Sequence, residues 1–286
     1  MSSETSQQND EATPNRPVRI RADVVENRDE GGVNRRLRLR AHDWPGSRPG
    51  QFAMLSPGAL FAAGGFDPLL PRPMALFRES AVDAASELEI LYKIHGRGTA
   101  LLAEALPGQV IGLVGPLGIP FPEPEPGERA ILVGGGTGIA SLFDLAQRAL
   151  GRTGGADTTS VLLGARNAID LLGVGDFEAL GVDLRCATED GSRGHSGRVT
   201  DLLRQALDED PDARVYVCGP TAMMRACAEI ALSHEASCSV SLENGMACGF
   251  GVCLGCAAPV GEVGYQLVCC EGPVFDARQV RWEEIP

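Results

Sequence analysis

A proline-rich, acidic stretch, PFPEPEPGER at 120–129, splits the chain into two parts that obey different periodicities. Proline lacks an N–H and fixes φ, and the residue before it is pushed out of the α region, so neither a helix nor a sheet ladder runs through such a segment. Upstream, apolar residues recur at every second position. Leu37, Leu39 and Ala41 alternate with Arg36, Arg38 and Arg40, and Leu88, Ile90, Tyr92 and Ile94 alternate with other residues of ELEILYKI. That period belongs to strands with one wet face. Turn signals at Pro49-Gly50, Pro57-Gly58, Pro107-Gly108 and Gly115-Pro116 punctuate the region, which predicts an antiparallel β-barrel over 18–126 with one short helix near 99–105.

Downstream the grammar changes. AILVGGG (130–136), VLLGA (161–165), VDLRCAT (182–188) and RVYVCG (214–219) are apolar runs, with helical stretches between them and another from Pro220 to about 233. Strands buried on both faces and alternating with helices predict an α/β unit with a parallel sheet, placed at 127–236. A small Cys-rich unit follows at 237–286. At about 100 to 200 residues per domain, 286 residues accommodate these units. Residues 1–17 are polar throughout and are expected to form a disordered tail without the apolar core of a secretory signal, which points to the cytoplasm.

Charge excludes one large class of partner. Lys plus Arg is 25 against 38 for Asp plus Glu, a net −13, so a nucleic-acid backbone meets repulsion. The uncharged stretch 244–261 is rich in Gly and Cys and carries a Pro, too little hydrocarbon for a membrane span.

In a reducing compartment nine cysteines point to metal or redox chemistry before disulfides. Cys248-x4-Cys253-x2-Cys256, with Cys269 and Cys270 further on, has the spacing of a plant-type [2Fe–2S] loop, in which three thiolates come from one wrapped segment and the fourth from elsewhere. Glycines at 249, 251 and 255 suit a loop that turns sharply and aims N–H groups at sulfur. A structural zinc site, which favours C-x2-C pairs, is the competing reading.

Two further signals concern nucleotides. Gly134, Gly135, Gly136, Thr137 and Gly138 stand between a buried strand and a helix, where a dinucleotide diphosphate approaches backbone and helix N–H groups; Cys218, Gly219 and Pro220 end a later strand on what should be the same edge. Glycines at such a turn also serve packing alone, and Cys218 reads equally as a small residue closing a buried strand. Arg72-Pro73-Met74-Ala75 can pin a diphosphate through a held guanidinium, and Gly98 with Thr99 can offer N–H and hydroxyl donors. Each of these is also an ordinary turn.

In this order, RPMA, YKIHGRGT, GPLG, GGGTGIA, CGPTAMM and MACGFGVCLGC…VCCEGPVF resemble the ferredoxin-reductase superfamily, and within it the electron-transfer subunit of NAD-dependent heteromeric dihydroorotate dehydrogenase. The resemblance covers about 18–286. It implies FAD held in the barrel by Arg72, Pro73, Met74, Ala75, Leu91, Tyr92, Lys93, Gly98 and Thr99, NAD on the sheet, with NADP left open, and cluster ligands Cys248, Cys253, Cys256 and Cys269. The family's usual Ser after R-P-x is Ala75 here, which removes a hydroxyl contact to flavin. The implied partner is a catalytic subunit carrying FMN, two copies of each chain; the implied activity is electron transfer in pyrimidine biosynthesis, from dihydroorotate through the cluster and FAD to NAD⁺, with no catalytic acid or base in this chain. Other readings are the small subunit of an NADH-dependent ferredoxin:NADP oxidoreductase or sulfide dehydrogenase, an oxygenase reductase, and a non-enzymatic iron–sulfur redox sensor.

Overall fold

The computed structural model describes residues 16–56, 70–153, 155 and 158–285. The turn expected at Pro57-Gly58 and nearly all of the expected tail lie outside them.

The first unit is a seven-stranded antiparallel sheet built from β1 (Val18–Gly31), β2 (Asn34–Ala41), β3 (Phe52–Ser56), β4 (Arg72–Ala75), β5 (Arg78–Val82), β6 (Ala85–Lys93) and β7 (Val110–Leu117), with α1 (Arg97–Ala103) between β6 and β7. The strand order is β4-β3-β7-β1-β2-β6-β5, and the sheet curls until β4 meets β6. Alternation sets the register: Leu37 pairs with Ile90 and Leu39 with Leu88, and all four turn into the barrel core with no exposed surface. Arg36 departs from the expected polar face. It points away from that core, yet it is 4% exposed, because the second unit covers it.

That second unit holds β8 (Ala130–Gly135), α2 (Phe143–Thr153), β9 (Thr159–Ala165), α3 (Val174–Leu180), β10 (Asp183–Thr188), β11 (His195–Ser196), α4 (Val199–Glu209), β12 (Arg214–Cys218), α5 (Thr221–Ser233) and β13 (Cys238–Ser241). Its sheet runs β11-β10-β9-β8-β12-β13 in parallel and ends on an antiparallel strand, β16 (Val274–Asp276). Residues along β8 feed two cores in turn. Ile131 and Val133 pack with the α4 and α5 side chains, Ala130 and Leu132 with those of α2 and α3. After β8 the chain takes a 3₁₀ turn over Gly136–Ser141 and only then enters α2, so the helix expected directly after the glycines starts at Phe143.

The sheet continues past 236, and the Cys-rich segment is an excursion between its last two strands. Residues 242–273 carry the short hairpin β14 (Ala257–Ala258) and β15 (Gln266–Leu267), whose buried Cys256, Ala258, Val260, Val268 and Cys269 share the core of β12 and β13. β15 ends at Leu267, two residues before Cys269. Ile119, just after β7, donates its N–H to the Gly272 carbonyl at 2.6 Å, and Leu242 donates to the Pro273 carbonyl at 2.9 Å, so the excursion is tied to barrel and sheet. No helix among the described residues is long and apolar enough to cross a membrane.

Candidate functional site

A cavity of about 380 Å³ opens where the three parts of the chain meet. The barrel lends it Arg72, Pro73, Met74 and Ala75 of β4, Leu91, Tyr92 and Lys93 of β6, and Thr99; the parallel sheet lends Thr137, Ser141, Cys218 and Ser241; the Cys-rich segment lends Asn244 and Met246. Arg72 donates from Nη1 to the Leu70 carbonyl at 2.8 Å, which leaves other guanidinium N–H groups for a ligand. Gly98 does not line the cavity. It lies against Arg72, and a Cβ there would come within 2.3 Å of Nε, so the bare backbone is what lets the guanidinium sit over the start of α1.

Thr99 and Tyr92 take roles other than those expected of ligand-binding side chains. The Thr99 hydroxyl accepts from the His95 N–H at 2.7 Å and donates to the Gly96 carbonyl at 3.2 Å, so it closes the turn into α1. Tyr92 sends its ring into the barrel core, where its hydroxyl donates to Asn27 Oδ1 at 3.0 Å and burial pushes its pKa up to about 12. At the far wall Cys218 is 1% exposed. Burial first, then the charge of Glu243, pushes its thiol up to about 12 against opposing hydrogen bonds with Ser141 and Ser241, so it stays neutral.

A second cavity, about 460 Å³, runs along the carboxyl edge of the parallel sheet and is lined by Gly135, Gly136, Arg166, Asp170, Glu189, Arg198, Thr200, Arg204, Pro220 and Met223, with Lys93 shared between the two. Gly134, Gly138 and Gly219 stand behind its wall. A Cβ on Gly138 would meet the Cys218 carbonyl carbon and the Gly219 nitrogen at 2.6 Å, so this glycine lets the 3₁₀ turn press onto the end of β12. The two glycine-bearing edges foreseen in the sequence therefore touch.

The cluster cysteines converge as pairs. Cys256 and Cys269 place their sulfurs 3.2 Å apart, and the Gly251 N–H donates to Cys269 Sγ at 3.2 Å. Cys248 and Cys253 interact through their side chains; burial raises the Cys248 thiol, but backbone hydrogen bonds from Cys253, Phe250 and Val252 and the Cys253 side chain outweigh it and bring the thiol down to about 6. No set of three His, Cys, Asp or Glu among the described residues surrounds a single ion position. Two pairs of thiols, one pair for each of two irons, fit a binuclear cluster better than the single tetrahedral centre that zinc requires. Cys270 Sγ lies 3.5 Å from Cys269 Sγ and is exposed, whereas Cys269 is buried.

Comparison with known proteins agrees with this geometry. Residues 243–281 match the model of the iron-sulfur cluster binding domain of dihydroorotate dehydrogenase B, and 132–229 match the oxidoreductase NAD-binding domain. The dihydroorotate dehydrogenase B (NAD(+)) electron transfer subunit of Bacillus caldolyticus is 40% identical over 239 residues, 82% of this chain and 86% of that protein. Its counterpart in Caldanaerobacter subterraneus is 36% identical over 259 residues, 86% of this chain and 95% of that one. The chain belongs to the family of dihydroorotate dehydrogenase B electron-transfer subunits. Among solved structures, an NADH-dependent reduced ferredoxin-NADP oxidoreductase superposes with a TM-score of 0.78 at 28% identity, covering 92% of this chain and 90% of that one. The ferredoxin reductase of carbazole 1,9a-dioxygenase, at 21% identity and TM-score 0.65 over 77% of this chain and 67% of that one, shares the fold.

Within this dihydroorotate dehydrogenase B family member, sequence reasoning missed the groups that complete each cavity. Ser141, at the end of the 3₁₀ turn, and Ser241, at the end of β13, reach Cys218, and Met246 approaches from the Cys-rich segment. Neither serine sits in a motif, whereas Met246 opens the segment MACGFGVCLGC; the three come together only once β8, β12 and β13 lie side by side. Glu189 and Arg198 do lie in EDGSRGHSGR, and the turn-rich character of that loop after a buried strand was the available signal.

Proposed function

We propose that this chain conveys electrons for an NAD-linked dihydroorotate dehydrogenase, in a cytoplasmic complex with a catalytic subunit that carries FMN, two copies of each. The observation that carries the reading is the first cavity, lined at once by the barrel, the parallel sheet and the Cys-rich segment. An electron carrier with one-electron and two-electron partners needs such a junction, whereas a redox sensor does not. All nine cysteines are free thiols, as a reducing compartment requires. We place the FAD unit at 18–126, the NAD unit at 127–236 together with β13 and β16, and the cluster unit in the remainder of 237–286.

When bound, the cluster supplies single-electron transfer, FAD both one- and two-electron steps, and the nicotinamide a hydride. In this reading Arg72 pins the flavin diphosphate, β4 and the backbone of Leu91 to Lys93 flank the ring system, and Cys248 with Cys253 and Cys256 with Cys269 ligate the two irons. The Gly251 N–H stabilises the Cys269 thiolate by donating to it. Gly135, Gly136 and the N-terminus of α5 after Pro220 receive the dinucleotide diphosphate. Cys218 packs beside the reacting ring as a neutral thiol, and with its pKa near 12 it neither gives nor takes a proton at neutral pH.

Reconstitution tests the reading. The chain combined with a dihydroorotate dehydrogenase catalytic subunit must reduce NAD⁺ at the expense of dihydroorotate; an assembled complex that fails to do so overturns it. The likeness to the NADH-dependent reduced ferredoxin-NADP oxidoreductase supports a second reading, in which the partner is an oxidoreductase of that kind, and the same assay separates the two.

A further inference from the structure

The one thiol of the Cys-rich segment that is left over from the four ligands is nevertheless held in place. Cys270 follows β15 in a tight turn: its N–H donates to the Leu267 carbonyl at 3.0 Å, and the Glu271 N–H donates to the same carbonyl at 2.8 Å. The Glu271 carboxylate closes the turn by accepting the Leu267 N–H at 2.6 Å. This backbone brings Cys270 Sγ to 3.5 Å from Cys269 Sγ. Gly251 forms the facing wall. Its N–H donates to Cys269 Sγ at 3.2 Å, and its φ of +84° lies in the left-handed region. A Cβ on Gly251 would stand 2.8 Å from Cys270 Sγ, so the bare backbone lets this one residue face both sulfurs.

Between two thiols either sulfur can give the proton; between a thiol and an iron-bound thiolate only the thiol can. A cysteine ligand has lost its proton, so with Cys269 in that role the bond runs from the Cys270 S–H to the Cys269 sulfur. A donor aimed at a ligand sulfur draws off some of its negative charge. Reduction adds one more negative charge to a cluster, so the same bond is stronger in the reduced state, and its presence raises the reduction potential.

We infer that Cys270 tunes the iron–sulfur cluster: it donates its S–H to the Cys269 thiolate and holds the reduction potential above the value that the Gly251 amide alone would give. This rests on the reading of Cys269, not Cys270, as the fourth ligand. Cys270 is then a positioning residue that acts on the cluster through Cys269. Within the proposed electron chain a higher potential makes the cluster a readier acceptor from the partner and a weaker donor to flavin, so the balance between the two steps depends on a side chain that ligates no iron.

The test is a redox titration of the purified holoprotein, followed by the electron paramagnetic resonance signal of the reduced cluster, with iron and acid-labile sulfide measured on every sample. Cys270→Val covers the Cys269 sulfur and keeps water from it but has no proton to give, whereas Cys270→Ser keeps a donor of nearly the same size. Cys270→Val should lower the midpoint potential by the equivalent of about a threefold to tenfold change in the ratio of reduced to oxidised cluster, about 59 mV at the upper end for a one-electron couple. Cys270→Ser should hold the wild-type value or exceed it. Equal potentials in all three proteins, or the same shift in both variants, would overturn the role of the thiol proton and leave the ligand assignment standing. Loss of iron from both Cys270 variants would overturn the assignment of Cys269 as well.

Discussion

Cys256 and Cys269 stand thirteen positions apart in the chain with their sulfurs 3.2 Å from each other, while Cys270 turns its thiol outward. The buried sulfur, which also accepts the Gly251 N–H, is the one placed to complete a pair. Cys248→Ser, Cys253→Ser, Cys256→Ser and Cys269→Ser should therefore each lose the cluster, because a poorly acidic hydroxyl replaces a thiolate. Cys270→Ser should keep it. Iron and acid-labile sulfide analysis of the 269 and 270 variants decides the matter, and loss of iron from the 270 variant alone would exchange their roles.

Arg72 lies over Gly98 so closely that any side chain at 98 displaces it. Two substitutions should then share one phenotype. Arg72→Ala removes a charge-assisted contact to a diphosphate, about 1.5 to 3 kcal/mol, and Gly98→Val should push the guanidinium aside with a similar result. Both should release flavin on gel filtration with iron content unchanged. Full flavin retention in Arg72→Ala would reduce the Arg-Pro segment to a structural turn.

How much of this was legible in the sequence depended on the range of the interaction. The barrel strands were readable because Leu37, Leu39, Leu88 and Ile90 obey a local period, and the cluster because three of its four ligands lie within one short loop. The 3₁₀ turn at Gly136–Ser141 was not, since nothing local distinguishes it from the first turn of an α-helix. Arg36 was read as a wet residue of an alternating strand; its burial is set by Asp176, 140 residues away. Thr99 was expected to donate its hydroxyl to phosphate, and the Gly96 carbonyl, three residues back, takes that proton instead.

That long-range contact has its own consequence. Arg36, its side chain 5% exposed, bonds Asp176 at 2.6 Å, Glu89 at 2.8 Å and Glu30 at 2.7 Å, and Arg78 adds a bond to Asp176 at 2.8 Å. The network fastens the barrel to the first turn of α3. Removing one member of a buried ion pair costs about 3 to 5 kcal/mol, so Arg36→Met should lower Tm markedly. The Asp176 carboxyl, burial notwithstanding, is held below its ordinary pKa by Arg36 and then Arg78. Its stabilising effect is present above the unfolded-state value near 3.8 and fades as pH falls through the lower folded value. Urea unfolding at pH 3 and pH 6 should show a smaller acid loss for Asp176→Asn than for the wild-type protein; equal losses would exclude this carboxyl.

Asp144, in the first turn of α2, has the opposite sign. Burial raises its carboxyl to about 7, with Arg148 and Arg78 opposing and the charge of Glu79 adding to the rise. The folded state therefore binds the proton more tightly than the unfolded chain, and stability falls as pH rises from about 4 to about 7. Asp144→Asn should remove this dependence and stabilise the protein at pH 8, on the order of 2 kcal/mol once the water that reaches a part-exposed carboxyl is discounted. Thermal melts at pH 5 and pH 8 give the answer: the gain should appear at pH 8 and shrink at pH 5. A gain of the same size at both would mean that packing, not charge, is responsible.

The arrangement of the cysteines relative to the two cavities predicts how the activities divide. The two cavities that we propose for flavin and for nucleotide share Lys93 and are lined mainly by barrel and sheet, so in that reading exchange between NADH and FAD needs none of the four cysteine thiols proposed as cluster ligands. Cys253, by contrast, is exposed on the Cys-rich segment, beside the exposed Phe250, Val252 and Leu254, the side from which a partner can approach. The isolated chain loaded with FAD should therefore reduce ferricyanide with NADH, and it should not oxidise dihydroorotate until a catalytic subunit is added. Cys253→Ser should keep most of the ferricyanide rate, with flavin content as the control for folding, and abolish NAD⁺ reduction by dihydroorotate in the complex. An undiminished coupled rate in the variant with no iron would mean that electrons reach FAD by a route that bypasses these thiols, and dihydroorotate oxidation by the chain alone would place the substrate site here.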